Sequence, residues 1–298
     1  MKKNYLILLL WLSAIQVTAW SQSALAAGAI LHGQGLLWKI EKPGVTASYL
    51  YGTMHVSDER VTRLPPPVEQ AFASADQFVM EMLPGSRALE IIARGSYFQD
   101  GRTLRSLMQA EDYLRLTRLM NNSLGLPENL YSNMRPWAVL LLVNMPVQDI
   151  ASDKVLDVML YRRARLRGID LHGLETPQQQ LAALETPTIE EQIWLLNKSV
   201  SRYSQMELNM KQMIDLYVQR NLAGLVSMQQ QQMHSDSEID DRFMHALLDE
   251  RNRHMVLKLQ DLLHQGDLFI AIGALHLPGE NGVLHLLEQQ GYIVTPVY

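Results

Sequence analysis

The stretch "LFIAIGALHLPGENG", Leu268–Gly282, decides the fold. A β-rich apolar run goes straight into Gly273, and His276 follows three residues later. Far upstream, "YLYGTMHVSDERV", Tyr49–Val61, repeats the device with Gly52 and His55.

The likeness extends outward from both histidines. The first unit reads as strand Ser48–Tyr51, Gly52-x-x-His55, a polar loop, a helix over about Val68–Ala75 and strand Phe78–Met82. The second reads as strand Leu268–Ile272, Gly273-x-x-His276, a polar loop, a helix over about Val283–Gln290 and strand Tyr292–Val297. A β-loop-α-β unit implies parallel inner strands and a right-handed crossover, so both histidines leave the same end of one sheet. Ligands bind beyond the carboxyl ends of such strands. Glu81 closes "QFVME" and Glu175 closes "IDLHGLE", which places His55, Glu81, Glu175 and His276 on one edge. The glycines permit a tight turn there, or a close backbone approach.

The rest of the chain sets the class: α/β (α+β), a mixed sheet built on the duplicated unit with a large helical insertion. "GLLWKIEKPGVTASYLYGTMH" reads as two strands joined at Lys42-Pro43-Gly44. Helical spacing predicts a helix from Arg102 to about Leu126, and Pro136 suits the first turn of another. "ASDKVLDVMLYRRARLRGIDLHGLE" predicts a helix capped at Ser152 or Asp153 and ended at Gly168, then a strand. Residues of about 188–265 are helical in pattern and form the insertion. Met206, Met210 and Met213 lie at helical spacing and read as core rather than copper ligands. His245, His254, His264 and His285 read as solvated or core histidines.

The chain has 298 residues, 47% of them hydrophobic and 19% charged, enough for a sizeable core in one domain over residues 27–298. Met1–Ala26 carries two lysines, an apolar run and a small-residue A-x-A end, and reads as a signal peptide cut after Ala26. That predicts a periplasmic or secreted protein with no stable membrane anchor after cleavage. Beyond the two leader lysines, 24 basic side chains face 31 acidic ones, a formal charge of −7. Nucleic acid is therefore not an expected partner. The absence of cysteine excludes disulfides and every thiolate site.

Two imidazoles and a carboxylate with open positions suit a divalent manganese, iron, cobalt or zinc ion, whose bound water becomes a nucleophile. A metal-free reading uses the same residues: one histidine as general base, oriented by a carboxylate. Glu175 either joins the site or caps the helix opening at Thr176–Pro177. Arg135 in "MRPW" and Arg251 in "DERNRHM" either hold a substrate oxygen, clamp a site carboxylate, or form surface ion pairs.

"YGTMHV", "FVMEM", "MRPWAVLLL", "LHGLETPQQQL", "DERNRHM" and "AIGALHLPGENGVLHLLEQQGY" run in an order that resembles the TraB/GumN (TraB/PrgY/GumN, Tiki-like) family from about residue 35 to the end. The resemblance implies the fold shared with erythromycin esterases and ChaN-like proteins. It assigns His55 and His276 to paired G-x-x-H motifs, Glu81 to the acidic position after the first helix, and Arg251 with Asn252 to the R-N pair that precedes the last repeat. Tiki proteins are membrane-tethered metalloproteases, so the implied activity is metal-dependent hydrolysis of a peptide or protein. On this reading His55, Glu81 and His276 bind the ion, Arg251 assists catalysis, and Arg135, Glu175 and Asn252 contact substrate. A rival class is a periplasmic binding protein that sequesters a peptide, haem or metal in the same cleft without turnover.

Overall fold

The computed structural model describes residues 30–150, 152–233 and 237–298. The signal peptide expected at Met1–Ala26 lies outside the described residues. Six strands form one mixed sheet in the order β4-β3-β5-β2-β1-β6. They are β1 (Leu37–Lys42), β2 (Val45–Thr53), β3 (Gln77–Met80), β4 (Asp170–Gly173), β5 (Leu268–Gly273) and β6 (Ile293–Pro296).

The four strands from β4 to β2 are mutually parallel, whereas β1 runs antiparallel to both β2 and β6. The two repeated units interlock. From β2 the chain crosses through helix Pro66–Ser74 to β3, passing over β5; from β5 it crosses through helix Val283–Gln289 to β6, in the opposite direction. Neighbouring strands whose connections depart in opposite directions define a topological switch point, where an open sheet leaves a crevice at its carboxyl ends. Here those strands are β2 and β5, paired with Thr53 opposite Gly273. Both G-x-x-H motifs therefore open onto one crevice.

Burial explains why β5 is the central strand. Residues Leu268–Ile272 are all buried, as a strand covered on both faces requires. Phe269 stacks near-parallel to Phe78 of β3 at 6.3 Å and meets Phe72 of the crossover helix edge-on at 5.2 Å. Gly44 closes the β1–β2 hairpin at φ +83°, a conformation that glycine adopts without a Cβ penalty.

Two hydrophobic cores stand side by side. One encloses the sheet and takes in Met210, Met213, Tyr217, Leu225, Met255 and Leu259. The other is mostly helical, drawn from residues as early as Met82 and Ile92, through Trp137 and Leu140, to Leu196, Phe243 and Leu247. The helical material thus comes from two stretches of chain, not from the expected 188–265 alone, and part of that expected stretch belongs to the sheet's core. Met210 and Met213 are buried apolar residues, as read from their spacing.

Two boundaries differ from sequence. The Arg102–Leu126 helix is two helices, Leu104–Leu107 under a Thr103–Ser106 capping box and Ala110–Asn122, because the chain turns extended at Met108 and Gln109. The helix expected to start at Ser152 or Asp153 begins at Leu156, and its Gly168 end adopts the left-handed φ of +71°. Among the described residues, no helix is long and apolar enough to cross a membrane.

Candidate active site

His55, Glu81, Glu175 and His276 all follow the carboxyl ends of the parallel strands β2, β3, β4 and β5. His55, Glu81 and His276 line a single cavity of about 30 Å³, together with Thr53, Asp157 and Gly273. That volume holds an ion or a water.

Each histidine is held from behind. His55 Nδ1 lies 3.2 Å from Asp157 Oδ2, and Asp157 Oδ1 accepts from the Thr53 hydroxyl at 2.5 Å. Thr53 and His55 are two residues apart at the end of β2, so one buried carboxylate reads both. His276 Nδ1 lies 2.6 Å from Asn252 Oδ1, whose amide nitrogen donates to Asn281 O at 2.8 Å. With Nδ1–H given to Asn252 Oδ1, the His276 ring carries its lone pair on Nε2. Burial holds the His276 imidazolium form down, and the nearby Arg251 guanidinium does so further, which keeps this ring neutral.

Glu81 is 2% exposed and fully partnered. Its Oε1 accepts from the Gly273 amide at 2.7 Å and its Oε2 from Arg251 Nη2 at 2.7 Å. Burial pushes its pKa up to about 7; Arg251 opposes this, and the neighbouring Glu175 carboxylate adds to it. The other face of Arg251 is forked onto Glu175, Nε to Oε1 at 2.8 Å and Nη2 to Oε2 at 2.5 Å. One guanidinium between two buried carboxylates leaves one carboxylate without a counter-charge, and Glu81 is the one that takes up a proton near neutrality.

The glycines answer a need for space. Neither motif glycine has a positive φ. A Cβ on Gly273 would stand 3.1 Å from Glu81 Oε1, and one on Gly52 would stand 3.0 Å from Leu277 Cδ2 and 3.2 Å from Ala274 Cα. Gly273 admits the carboxylate to its own amide; Gly52 admits the turn that carries His276.

Helix Glu250–Leu263 supplies Arg251 and Asn252, and a π-helical segment, His245–Asp249, precedes it. Such a segment adds a residue to the turn and frees a carbonyl, and it recurs at functional sites. Here Leu247 O accepts from Arg251 Nη1 at 3.2 Å. That nitrogen also lies 3.5 Å from His276 Nε2, so all five N–H groups of Arg251 face a partner. Arg251 is therefore a clamp on the site carboxylates. Asn252 positions His276 and is 2% exposed, and Glu175 lies behind Arg251. Thr176 caps the following helix, not Glu175. Arg135 is outside the cavity: it pairs with Glu185 at 3.2 Å and lies over the Phe98 ring.

Sequence reasoning missed Asp157, which is 1% exposed. The signal was a lone acid inside the apolar helical run "VLDVML". An aspartate on a buried helix face demands a polar partner.

The profile of the TraB/PrgY/gumN family matches residues 36–296. The chain belongs to the TraB/PrgY/gumN family. It is 26% identical over 308 residues to metalloprotease TIKI1 of Danio rerio, covering 87% of this chain and 62% of that protein. It is 24% identical over 315 residues to the metalloprotease TIKI homolog of Nematostella vectensis, covering 88% and 66%. Against TIKI1 of Homo sapiens it is 24% identical over 309 residues, covering 87% and 61%. This TraB/PrgY/gumN protein thus spans about three fifths of the length of the curated relatives it matches. No solved structure matches it significantly.

The donor chemistry of the cavity fits a divalent ion. Two imidazoles, each with an acceptor behind Nδ1, and a carboxylate are the ligand set and outer shell such ions use. His276 Nε2 and Glu81 Oε1 are 3.9 Å apart, within the span of two ligands on one ion. Among the described residues these three do not form a group with every ligand atom within 4.8 Å. Binding one ion through all three requires a local closure.

Proposed function

We propose that this protein is an exported metal-dependent peptidase whose reaction centre is His55, Glu81 and His276. One observation carries the reading: two histidines, each held at Nδ1 by a buried acceptor, and a buried carboxyl share a cavity at the switch point of the sheet. The metalloprotease relatives support the reaction class, and the leader-like Met1–Ala26 supports export.

His55, Glu81 and His276 would hold the ion, which when bound acidifies water and polarises a carbonyl. Asp157 and Asn252 hold the two rings through Nδ1. In the reading without an ion, Glu81, whose pKa burial raises to about 7, accepts the proton of the attacking water and returns it to the leaving amine. Arg251 and Glu175 hold that carboxyl in place. Met213, Tyr217 and Leu225 complete the cavity wall and exclude bulk water. Tyr217 anchors its helix by donating to Gly52 O at 2.8 Å.

The test is cleavage of a peptide library by protein stripped with chelator and reloaded with manganese, cobalt, iron or zinc. His55→Ala and His276→Ala are expected to lose about 100-fold or more. Cleavage that survives in both variants overturns the assignment. Arg251 Nη1, 3.5 Å from His276 Nε2, favours a second reading in which His276 acts without an ion. Chelation separates the two: it abolishes cleavage in the first and leaves it in the second.

A further inference from the structure

A second cluster of ligating side chains lies outside the cavity. His32 Nε2 is 3.0 Å from Glu288 Oε2, and His285 Nδ1 is 3.3 Å from the same oxygen. Among the described residues it is the one group of three such donors with every ligand atom within 4.8 Å. None of the three lines the His55–His276 cavity.

We propose that His32, His285 and Glu288 form a structural metal site for a zinc-class ion, stapling the segment before β1 to the helix that follows His276. Ligands at about 2.0–2.1 Å around a tetrahedral ion stand roughly 3.3–3.4 Å apart. The two separations to Glu288 are within a few tenths of an ångström of that. Two imidazoles and one carboxylate select zinc, cobalt, nickel or copper over magnesium or calcium. The side chains are 15%, 28% and 36% exposed, so an ion can enter and water can complete its shell.

The donors are fixed before any ion arrives. His285 and Glu288 stand one turn apart on helix Val283–Gln289. The His32 ring packs edge-on against Trp38 at 5.1 Å, on a backbone held at φ +54°. Gly279 N–H donates to Leu31 O at 2.8 Å and ties the two segments beside the cluster. The same contacts could serve as two plain hydrogen bonds to one carboxylate oxygen, and the experiment separates these cases.

Zinc is titrated calorimetrically into untagged, chelator-stripped full chain carrying His55→Ala and His276→Ala, so the cavity histidines contribute no binding. One equivalent is expected, weakened at least tenfold by adding His285→Ala or Glu288→Gln. No zinc uptake in that background, or uptake that His285→Ala leaves unchanged, overturns the site. Cobalt quenching of Trp38 fluorescence, taken as the difference between wild type and Trp38→Phe, gives a readout in protein with an intact cavity. It is expected to vanish in His285→Ala, and equal quenching with and without His285 overturns the proposal.

Discussion

Asn252 Oδ1 lies 2.6 Å from His276 Nδ1, and the Asn252 amide is in turn spent on Asn281 O. The asparagine cannot flip without losing both bonds, so it dictates the tautomer of the histidine. Asn252→Ala is expected to lower peptide hydrolysis about 10–100-fold, the usual cost of losing such a partner. The ¹⁵N shifts of His276 should change with it, since a released ring samples both tautomers. Wild-type shifts in an impaired variant would show that Asn252 acts otherwise.

Gly273→Ala tests the close approach of Glu81. The new methyl would stand 3.1 Å from Oε1, so the carboxylate must retreat and loosen its bond to the Gly273 amide. The fold should persist, because the φ of −52° at this residue is open to alanine. Hydrolysis is expected to fall at least tenfold with a small change in melting temperature, the cost of sub-ångström misplacement. An active variant would remove the Gly273 amide from the account.

The duplicated strand-Gly-x-x-His unit was legible because it is local: an apolar run, a glycine and a histidine lie within one short window. Strand ends then place Glu81 and Glu175 without knowledge of strand order. The exchange of partners was not legible. That β5 inserts between β2 and β3 depends on long-range pairing that no window contains. Arg251 and Asn252 reach the edge through a π-helical turn, which has no residue signature. Arg135 looked like Arg251 in sequence, an arginine beside turn residues, and the fold sends it to Glu185.

Glu81 sets a pH dependence of known sign. Burial raises its pKa to about 7, so a general base at this position gains activity as pH rises through 7. Stability moves the other way. Between the unfolded value of 4.5 and about 7 the native state holds a proton that the unfolded chain has lost, so stability falls across that window. The full shift corresponds to roughly 3 kcal/mol. His276, neutral when folded, adds stability as pH rises towards 6.5 and masks part of the effect. Denaturant titrations of Glu81→Gln beside wild type isolate the Glu81 part. The variant should gain on wild type as pH rises from 4.5 to 7, and a constant difference would refute the shift.

Arg135→Ala should be nearly silent. Its pair with Glu185 at 3.2 Å is partly exposed, and such pairs contribute about 1 kcal/mol or less. Hydrolysis should match wild type within twofold. A large loss of rate with an unchanged melting temperature would bring Arg135 back as a substrate contact.

Arg251 is the strongest test of the buried charge arrangement, because it faces Glu81 and Glu175 at once. Arg251→Met leaves two buried carboxylates without a cation. Breaking a buried pair this way costs about 3–5 kcal/mol, and the cost should shrink at pH 5, where Glu81 is protonated. Arg251→Lys keeps the charge but cannot fork onto Glu175, so it should recover only part of the loss. The decisive variant combines Arg251→Met with Glu81→Gln and Glu175→Gln, which removes every charge from the group. It should regain most of the stability lost by Arg251→Met while remaining inactive, since the Glu81 carboxyl of the reaction centre is gone. A triple variant no more stable than Arg251→Met would mean that the arginine acts through packing of its stem, and not through the two carboxylates it spans.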